Sequence, residues 1–240
     1  MTTILIGIDD TDNETSIGTG RLARLLSEEC EHRGMRPLGV TRHQFLVDPR
    51  IPFTSHNSGA CIAVASDDGV ESAAFAFEFI ARRAAEGSDP GVCIAQAHAV
   101  AREVVEFGHR ATDRIVTMDD AYRIAGFGQV RLRGLGGTDL GVIGALGSVG
   151  LRAGGNEGRF IDLPGLRELS SCVDPGDISR CGITLDYRGV RRDPASGDQC
   201  DTLGWVRPRL IGGHPVLPLE WSEQRHAWIP VDRKRGQSLG

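Results

Sequence analysis

The sequence predicts an α+β protein built on a mixed sheet, with a larger N-terminal unit followed by a smaller, β-rich one. Three observations carry this. Up to about residue 85 the apolar pattern runs strand, helix, strand, strand, helix, the order of an α+β layer rather than of an all-parallel sheet. No G-x-G-x-x-G follows a strand, which argues against a dinucleotide fold. From about residue 156 the chain turns to short apolar runs divided by turns, and all three tryptophans (Trp205, Trp221, Trp228) lie there. The reading is therefore 1–155 for the first unit, 156–232 for the second, and a disordered tail from 233 to 240.

The first element is Ile4 to Ile8, apolar on both faces and β-branched, a short buried strand. Residues 20–33 carry Leu22, Leu25 and Leu26 at helical spacing and end at Gly34. Pro37 to Val47 reads as extended, Asp48 to Pro52 as a turn, and Cys61 to Ala65 as an apolar strand. Asp67-Asp68 opens an amphipathic helix expected to run to about Ala85; Val92 to Ala95 is a brief strand, and Gln96 to Phe107 a helix. Gly126 to Asp139 is a glycine-rich segment. Leu140 to Leu151 follows as a helix of small residues, with Gly141, Gly144, Ala145 and Ser148 at three- and four-residue intervals. In the second unit, strands are expected over 158–163, 181–187, 202–210, 216–221 and 227–231.

At 240 residues the chain can bury a substantial core. A net charge of −5 and a pI near 5.8 do not fit a general nucleic-acid binder. No apolar run reaches the roughly 18 residues a membrane span needs, and no signal peptide opens the chain, so a cytoplasmic protein without a membrane partner is expected. The six cysteines form no C-x-x-C pair, which argues against a zinc ribbon and a disulfide scaffold; Cys30, Cys61 and Cys93 read as buried thiols. Lys234 is the only lysine. A Walker-type loop and a protein-kinase domain each need one inside the site, so any bound phosphate must be met by arginine, backbone or metal.

The chemistry is expected at the end of the first strand, where Asp9, Asp10 and Asp12 crowd three carboxylates into four residues. Such acids repel unless a cation, an arginine or a proton intervenes. Mg²⁺ suits one or two carboxylates plus substrate phosphates. The Gly18-Thr19-Gly20 backbone, at a helix start, offers N–H groups to a phosphate. A solvated turn with Asp and Asn as helix caps is the plain alternative. A second polar loop, containing His56, Asn57, Ser58 and Gly59, reads as another wall of the same pocket, with His56 able to exchange protons near neutral pH. Arg131, Arg133 and Thr138 precede the small-residue helix, and the two arginines are candidate substrate-binding residues.

With these loops in view, the chain resembles the archaeal tRNA(Ile) 2-agmatinylcytidine synthetases. The matching stretches are Gly7 to Asp12, Asp48 to Phe53, Ser58-Gly59-Ala60, Asp89-Pro90-Gly91, Gly141 to Leu146 and, more weakly, Gly213 to Leu217, in the same order and together spanning most of 3–220. The resemblance implies an ATP-using kinase-like domain followed by a ferredoxin-like one. It implies Asp9, Asp10 and Asp12 as catalytic ligands of Mg²⁺ and nucleotide phosphates, and Thr19 as a phosphate-contacting or phospho-accepting hydroxyl. It also implies Gly7, Thr11, Gly18, Gly20, Ser58, Gly59, Gly141 and Gly144 as the surroundings of ATP. The family's Cys-Thr-Thr is here Gly18-Thr19-Gly20, and its Arg-Gly-Asn-Gly-Ala is His56-Asn57-Ser58-Gly59-Ala60. Its OB-fold and zinc ribbon, which serve tRNA binding, have no counterpart in these residues. The function implied is an Mg²⁺-dependent phosphotransferase or ligase acting on a small molecule, or on tRNA with a partner. Two other classes are consistent with parts of the pattern. One is a haloacid-dehalogenase-like phosphatase with Asp10 as nucleophile and Asp12 as acid/base, although Glu14 stands where that family has threonine or valine. The other is a non-catalytic nucleotide-sensing or RNA-modification accessory protein.

Overall fold

The computed structural model describes residues 1–51, 56–188 and 194–231. The expected Pro52-Phe53 end of one family stretch, Lys234 and the tail from 233 lie outside the described residues. The first half contains β1 (Thr2–Asp9), α1 (Thr19–His32), β2 (Arg36–Gln44), β3 (Ser58–Ser66), α2 (Phe75–Ala81), β4 (Gly91–Gln96), α3 (Arg102–Asp113), α4 (Met118–Ala125), β5 (Arg131–Gly134) and α5 (Gly141–Gly154). The second contains β6 (Arg159–Asp162), β7 (Cys172–Val173), α6 (Pro175–Arg180), β8 (Thr184–Arg188), β9 (Cys200–Asp201), β10 (Arg209–Ile211), β11 (His214–Ser222) and β12 (Ala227–Pro230). All these strands join one mixed sheet in the order β5-β4-β1-β3-β2-β6-β10-β11-β12-β9-β7, with β8 beside β11. Pairing is antiparallel except between β8 and β11 and between β9 and β12.

β1 lies inside the sheet, antiparallel to β3 on one side and β4 on the other. Its alternation then serves two cores. Ile4, Ile6 and Ile8 pack with α1 and α2, through Leu22, Leu26, Phe77 and Ile80. Leu5, with Cys61 and Cys93, packs with α3 to α5, through Phe107, Ala145 and Val149. The thiols expected to be buried are so: burial pushes Cys30 and Cys61 up to about 12. A third core, from Phe160 to Trp228, belongs to the second half, where Tyr187 and Trp221 meet the Trp228 ring edge-on at 4.7 and 5.5 Å. The two halves share the sheet through β2 and β6, where Arg42 faces Arg159 and Thr41 faces Phe160.

Three expectations are corrected, and one segment gains a strand. The helix expected from Asp67 to Ala85 is a 3₁₀ turn over Gly69–Ala73 and then the short α2; Gly69 sits at φ +65° and Ser72 Oγ bonds its carbonyl at 2.7 Å, which breaks the helical run. The helix expected from Gln96 begins only at Arg102, because β4 pairs with β1 as far as Gln96 and Val100 stays extended. The glycine-rich segment 126–139 contains β5, an edge strand on β4. Of 202–210, only the end joins the sheet, since Leu203 (φ +55°) and Gly204 (φ +80°) form a turn.

α5 lies against β1 and β4 with almost no space between. A Cβ on Gly7 would meet the Ala145 carbonyl oxygen at 2.1 Å, and one on Gly91 would meet the Gly141 carbonyl carbon at 2.2 Å. The small residues of α5 are what allow this approach. No helix among the described residues is long and apolar enough to cross a membrane.

Candidate functional site

β1 delivers Asp9 to its C-terminal end, and Asp10 follows in the left-handed region at φ +52°, a conformation Asp tolerates better than most residues. The chain then turns back. The Asn13 carboxamide oxygen accepts the N–H groups of Thr15 and Ser16, both at 3.0 Å, and its Nδ2 donates to the Glu86 carbonyl at 3.1 Å. This loop leads into α1, whose first turn follows Gly18 with no side chain capping it. The turn therefore keeps backbone N–H groups directed toward the cleft beside it.

That cleft encloses about 580 Å³. Asp9, Asp10, Asp12, Gly18, Thr19, Gly20, His56, Asn57, Ser58 and Gly59 all line it, so the two loops read as walls of one pocket do meet. Gly7, Thr11, Gly141 and Gly144 are not among the residues that line it. A Cβ on Gly144 would fall 1.7 Å from Asp9 Oδ2, so this glycine is the seat of the Asp9 carboxylate. Thr11 is buried, and its hydroxyl donates to Thr19 Oγ1 at 3.0 Å. Arg131 and Arg133 are not brought to the cleft. They sit on the edge strand β5, where Arg131 pairs with Glu71 and the Arg133 guanidinium lies 4.5 Å from the centre of the Phe77 ring.

The three acids share the cleft without converging on one point. Asp9 turns to Gly144, Asp10 is beside Asp89, and Asp12 accepts a hydrogen bond from Thr19 Oγ1 at 2.8 Å. Among the described residues, no three His, Cys, Asp or Glu side chains converge as a metal cluster, and no ion pair neutralises any of the three. Burial, then the charge of Asp10, and to a lesser degree that of Asp12, push Asp9 up to about 7, against the lowering effect of its hydrogen bond with the Asp10 backbone. Burial and then Asp89 raise Asp10, opposed by the Asp89 backbone hydrogen bond. Asp89 is itself fixed by Thr138, which donates from its backbone N–H at 2.6 Å and its hydroxyl at 2.7 Å. An unrelieved negative corner fits a divalent cation. The dispersed carboxylates suit an ion completed by ligand oxygens rather than a protein cage.

Five arginines also line the cleft: Arg21 and Arg24 on α1, Arg42 on β2, Arg167 after β6, and Arg207 before β10. Trp205 lies among them. Reading the sequence missed this basic wall. Arg21 and Arg24 follow the Gly18–Gly20 loop at helical spacing, so a local signal for them existed. Arg167, Trp205 and Arg207 are more than 140 positions from the acids and carry no local signal.

Fold and cleft together define an α+β protein with an acidic strand end, an uncapped helix start and an arginine wall. Solved structures of TiaS, a tRNA agmatidine synthetase, are similar. The complex of TiaS with its isoleucine tRNA and ATP is 29% identical, with a TM-score of 0.55, over 62% of this chain and 36% of that one. Apo TiaS is 27% identical, with a TM-score of 0.53, over 62% and 35%. A tRNA fluorescent labeling enzyme is 29% identical, with a TM-score of 0.54, over 62% and 36%. The chain is thus related in fold to TiaS and spans about a third of the length of these structures. Neither a protein-family model nor a curated protein sequence matches it.

Proposed function

We propose that the chain is an Mg²⁺-dependent, ATP-using phosphotransferase or ligase, similar to the catalytic half of TiaS, acting on a small molecule or, with a partner, on tRNA. In this reading residues 1–155 form the nucleotide-binding unit and 156–232 a ferredoxin-like unit. The triphosphate lies along Gly18, Gly20, Ser58 and Gly59 with its phosphates toward Asp9, Asp10 and Asp12. Asp10 and Asp12, helped by Asp9, hold Mg²⁺, which when bound shields phosphate charge and strengthens the phosphoryl electrophile. Arg21 and Arg24 provide the positive charge that the missing lysine does not.

The observation that carries the reading is the Thr11–Thr19–Asp12 relay at the helix start. The Thr19 hydroxyl donates to Asp12 and receives hydrogen bonds from the Thr11 hydroxyl at 3.0 Å and the Thr11 N–H at 3.4 Å. A hydroxyl polarised by a carboxylate, oriented by a second hydroxyl and placed beside backbone N–H groups is the arrangement a phosphoryl-accepting or phosphate-positioning threonine needs.

The test is incubation with γ-labelled ATP and Mg²⁺. The expected result is product release or label on Thr19, lost in Asp10→Ala and in Thr19→Ala. Label on Asp10, cleaved by hydroxylamine, would assign the dehalogenase-type chemistry instead. ATP bound without product or label would assign an accessory or sensing role.

A further inference from the structure

We propose that the wall of the cleft farthest from the aspartates is a second anion site, in which Arg42, Arg167 and Arg207, steadied by Trp205, hold the phosphomonoester of a small acceptor molecule facing the nucleotide. The proposal rests on the nucleotide reading above for what occupies the other wall.

The topology separates the two walls. Asp9 is on β1, and β3 and then β2 follow across the sheet at about 4.8 Å per strand, so Arg42 stands roughly 10 Å from the acidic strand. Arg167 and Arg207 lie farther along the same direction, after β6 and before β10. Arg21 and Arg24, by contrast, belong to the helix that starts at the glycine loop. Arg21 and Arg24 thus stand on the helix at the glycine loop, and Arg42, Arg167 and Arg207 on the strand and loops beyond it.

The trio is held in place before any ligand arrives. Arg42 Nε donates to Ser58 Oγ at 2.9 Å. The Arg167 guanidinium lies 4.4 Å from the centre of the Trp205 ring and Nε stands 3.5 Å from Asp162. The Arg207 guanidinium lies 5.8 Å from the same ring, so one indole orders two cations. Their gathering is costly by itself. Burial and then Arg207 lower the Arg42 pKa. In a chain of net charge −5, a concentration of like charge at a cleft wall is offset most simply by an anion. One bidentate arginine saturates a carboxylate. Two full cations and a third shared with Asp162 match a phosphomonoester, which carries about −1.5 to −2 charge and three acceptor oxygens. The cleft volume of about 580 Å³ suits a small molecule beside a nucleotide.

The test uses the whole chain and phenyl phosphate as probe, by calorimetry, with and without saturating Mg²⁺ and a non-hydrolysable ATP analogue. Phenyl phosphate is expected to bind in both conditions, and Arg207→Gln and Arg42→Gln to weaken it about 10- to 100-fold while thermal unfolding stays cooperative. Trp205 is a positioning residue. Trp205→Leu should weaken the probe about 10-fold, and Trp205→Phe, which keeps a ring beneath the guanidiniums, should restore most of the loss. Displacement of phenyl phosphate by the analogue would overturn the inference, because the trio would then serve the nucleotide's own phosphates. Analogue bound without any phenyl phosphate would overturn it and leave the nucleotide reading standing. Phenyl phosphate bound by the trio with no analogue bound would uphold the anion site and remove the nucleotide reading. A 5′-phosphorylated decaribonucleotide binding more than about 100-fold tighter than phenyl phosphate would replace the small acceptor by a nucleic-acid strand.

Discussion

Replacing Asp9 by asparagine should stabilise the ligand-free protein at pH 8 while removing its response to Mg²⁺ and ATP. Asp9 moves from an ordinary 3.8 to about 7, chiefly through burial. At about 1.4 kcal/mol per unit, the full shift corresponds to about 4 kcal/mol of destabilisation once the group is ionised. Two features reduce it. Asp9 keeps partial solvent contact through the cleft, and its carboxylate faces the first turn of α5, whose partial positive charge favours an anion. A gain of about 2 kcal/mol for Asp9→Asn at pH 8 is therefore expected. The size of this effect changes with pH in a defined window. A carboxylate whose folded pKa is raised contributes most below its unfolded value, and that contribution is lost as pH rises through about 7. The difference between wild type and Asp9→Asn should shrink steadily from pH 8 toward pH 4. Urea unfolding at pH 8, 6.5 and 5, read by tryptophan fluorescence, measures this directly, and added Mg²⁺ and ATP should raise the wild-type midpoint alone. Equal stability differences at all three pH values, or a variant less stable than wild type at pH 8, would refute the reasoning.

Three further outcomes are expected. His43 is 1% exposed, with Thr41 Oγ1 and the Glu157 carbonyl each 2.8 Å from its ring nitrogens, and burial followed by Arg152 pushes it down to about 3. Stability present above its ordinary 6.5 is therefore lost as pH falls toward 3, and by pH 5 wild type should lose about 2 kcal/mol more than His43→Gln in paired urea titrations. Gly144→Ala places a methyl 1.7 Å from Asp9 Oδ2, so the carboxylate must move; ATP affinity by calorimetry should fall at least roughly 10-fold, with a fold loss of about 1–3 kcal/mol. Thr19→Val strands the Thr11 and Asp12 partners and should cost about 1–3 kcal/mol and all labelling from γ-labelled ATP, whereas Thr19→Ser should retain both stability and labelling.

The parts of the molecule legible in the sequence are those whose signal is local. β1 and α1 lie within a residue or two of the expected bounds, because an unbroken apolar run and a helical leucine spacing between glycines depend on little else. The 9–20 and 56–59 loops were each readable as polar, glycine-containing stretches beside an apolar strand; they meet because β1 and β3 pair antiparallel, so the C-terminal end of one faces the N-terminal end of the other. α4 went unread although its capping box, Thr117 with Asp120, was written in the sequence. The crowding of the three aspartates could be read, but not their divergence, which depends on Gly144 and Asp89 from elsewhere in the chain. Arg131 and Arg133 drew notice beside glycines, yet edge-strand pairing and Glu71 and Phe77 hold them away from the cleft. Of the cations that do reach it, Arg167 and Arg207 come from the second half of the sheet, through the β2–β6 pairing that no local pattern announces.

The most direct measurement is calorimetric titration of ATP into the protein at pH 8, once with Mg²⁺ and once with EDTA, repeated on Asp10→Asn. The expected result is a single site at least about 10-fold tighter with Mg²⁺ than without, with that metal dependence gone in the variant. Equal affinity with Mg²⁺ and with EDTA, or no heat of binding at millimolar ATP, would contradict a metal-bridged nucleotide at the acidic strand end.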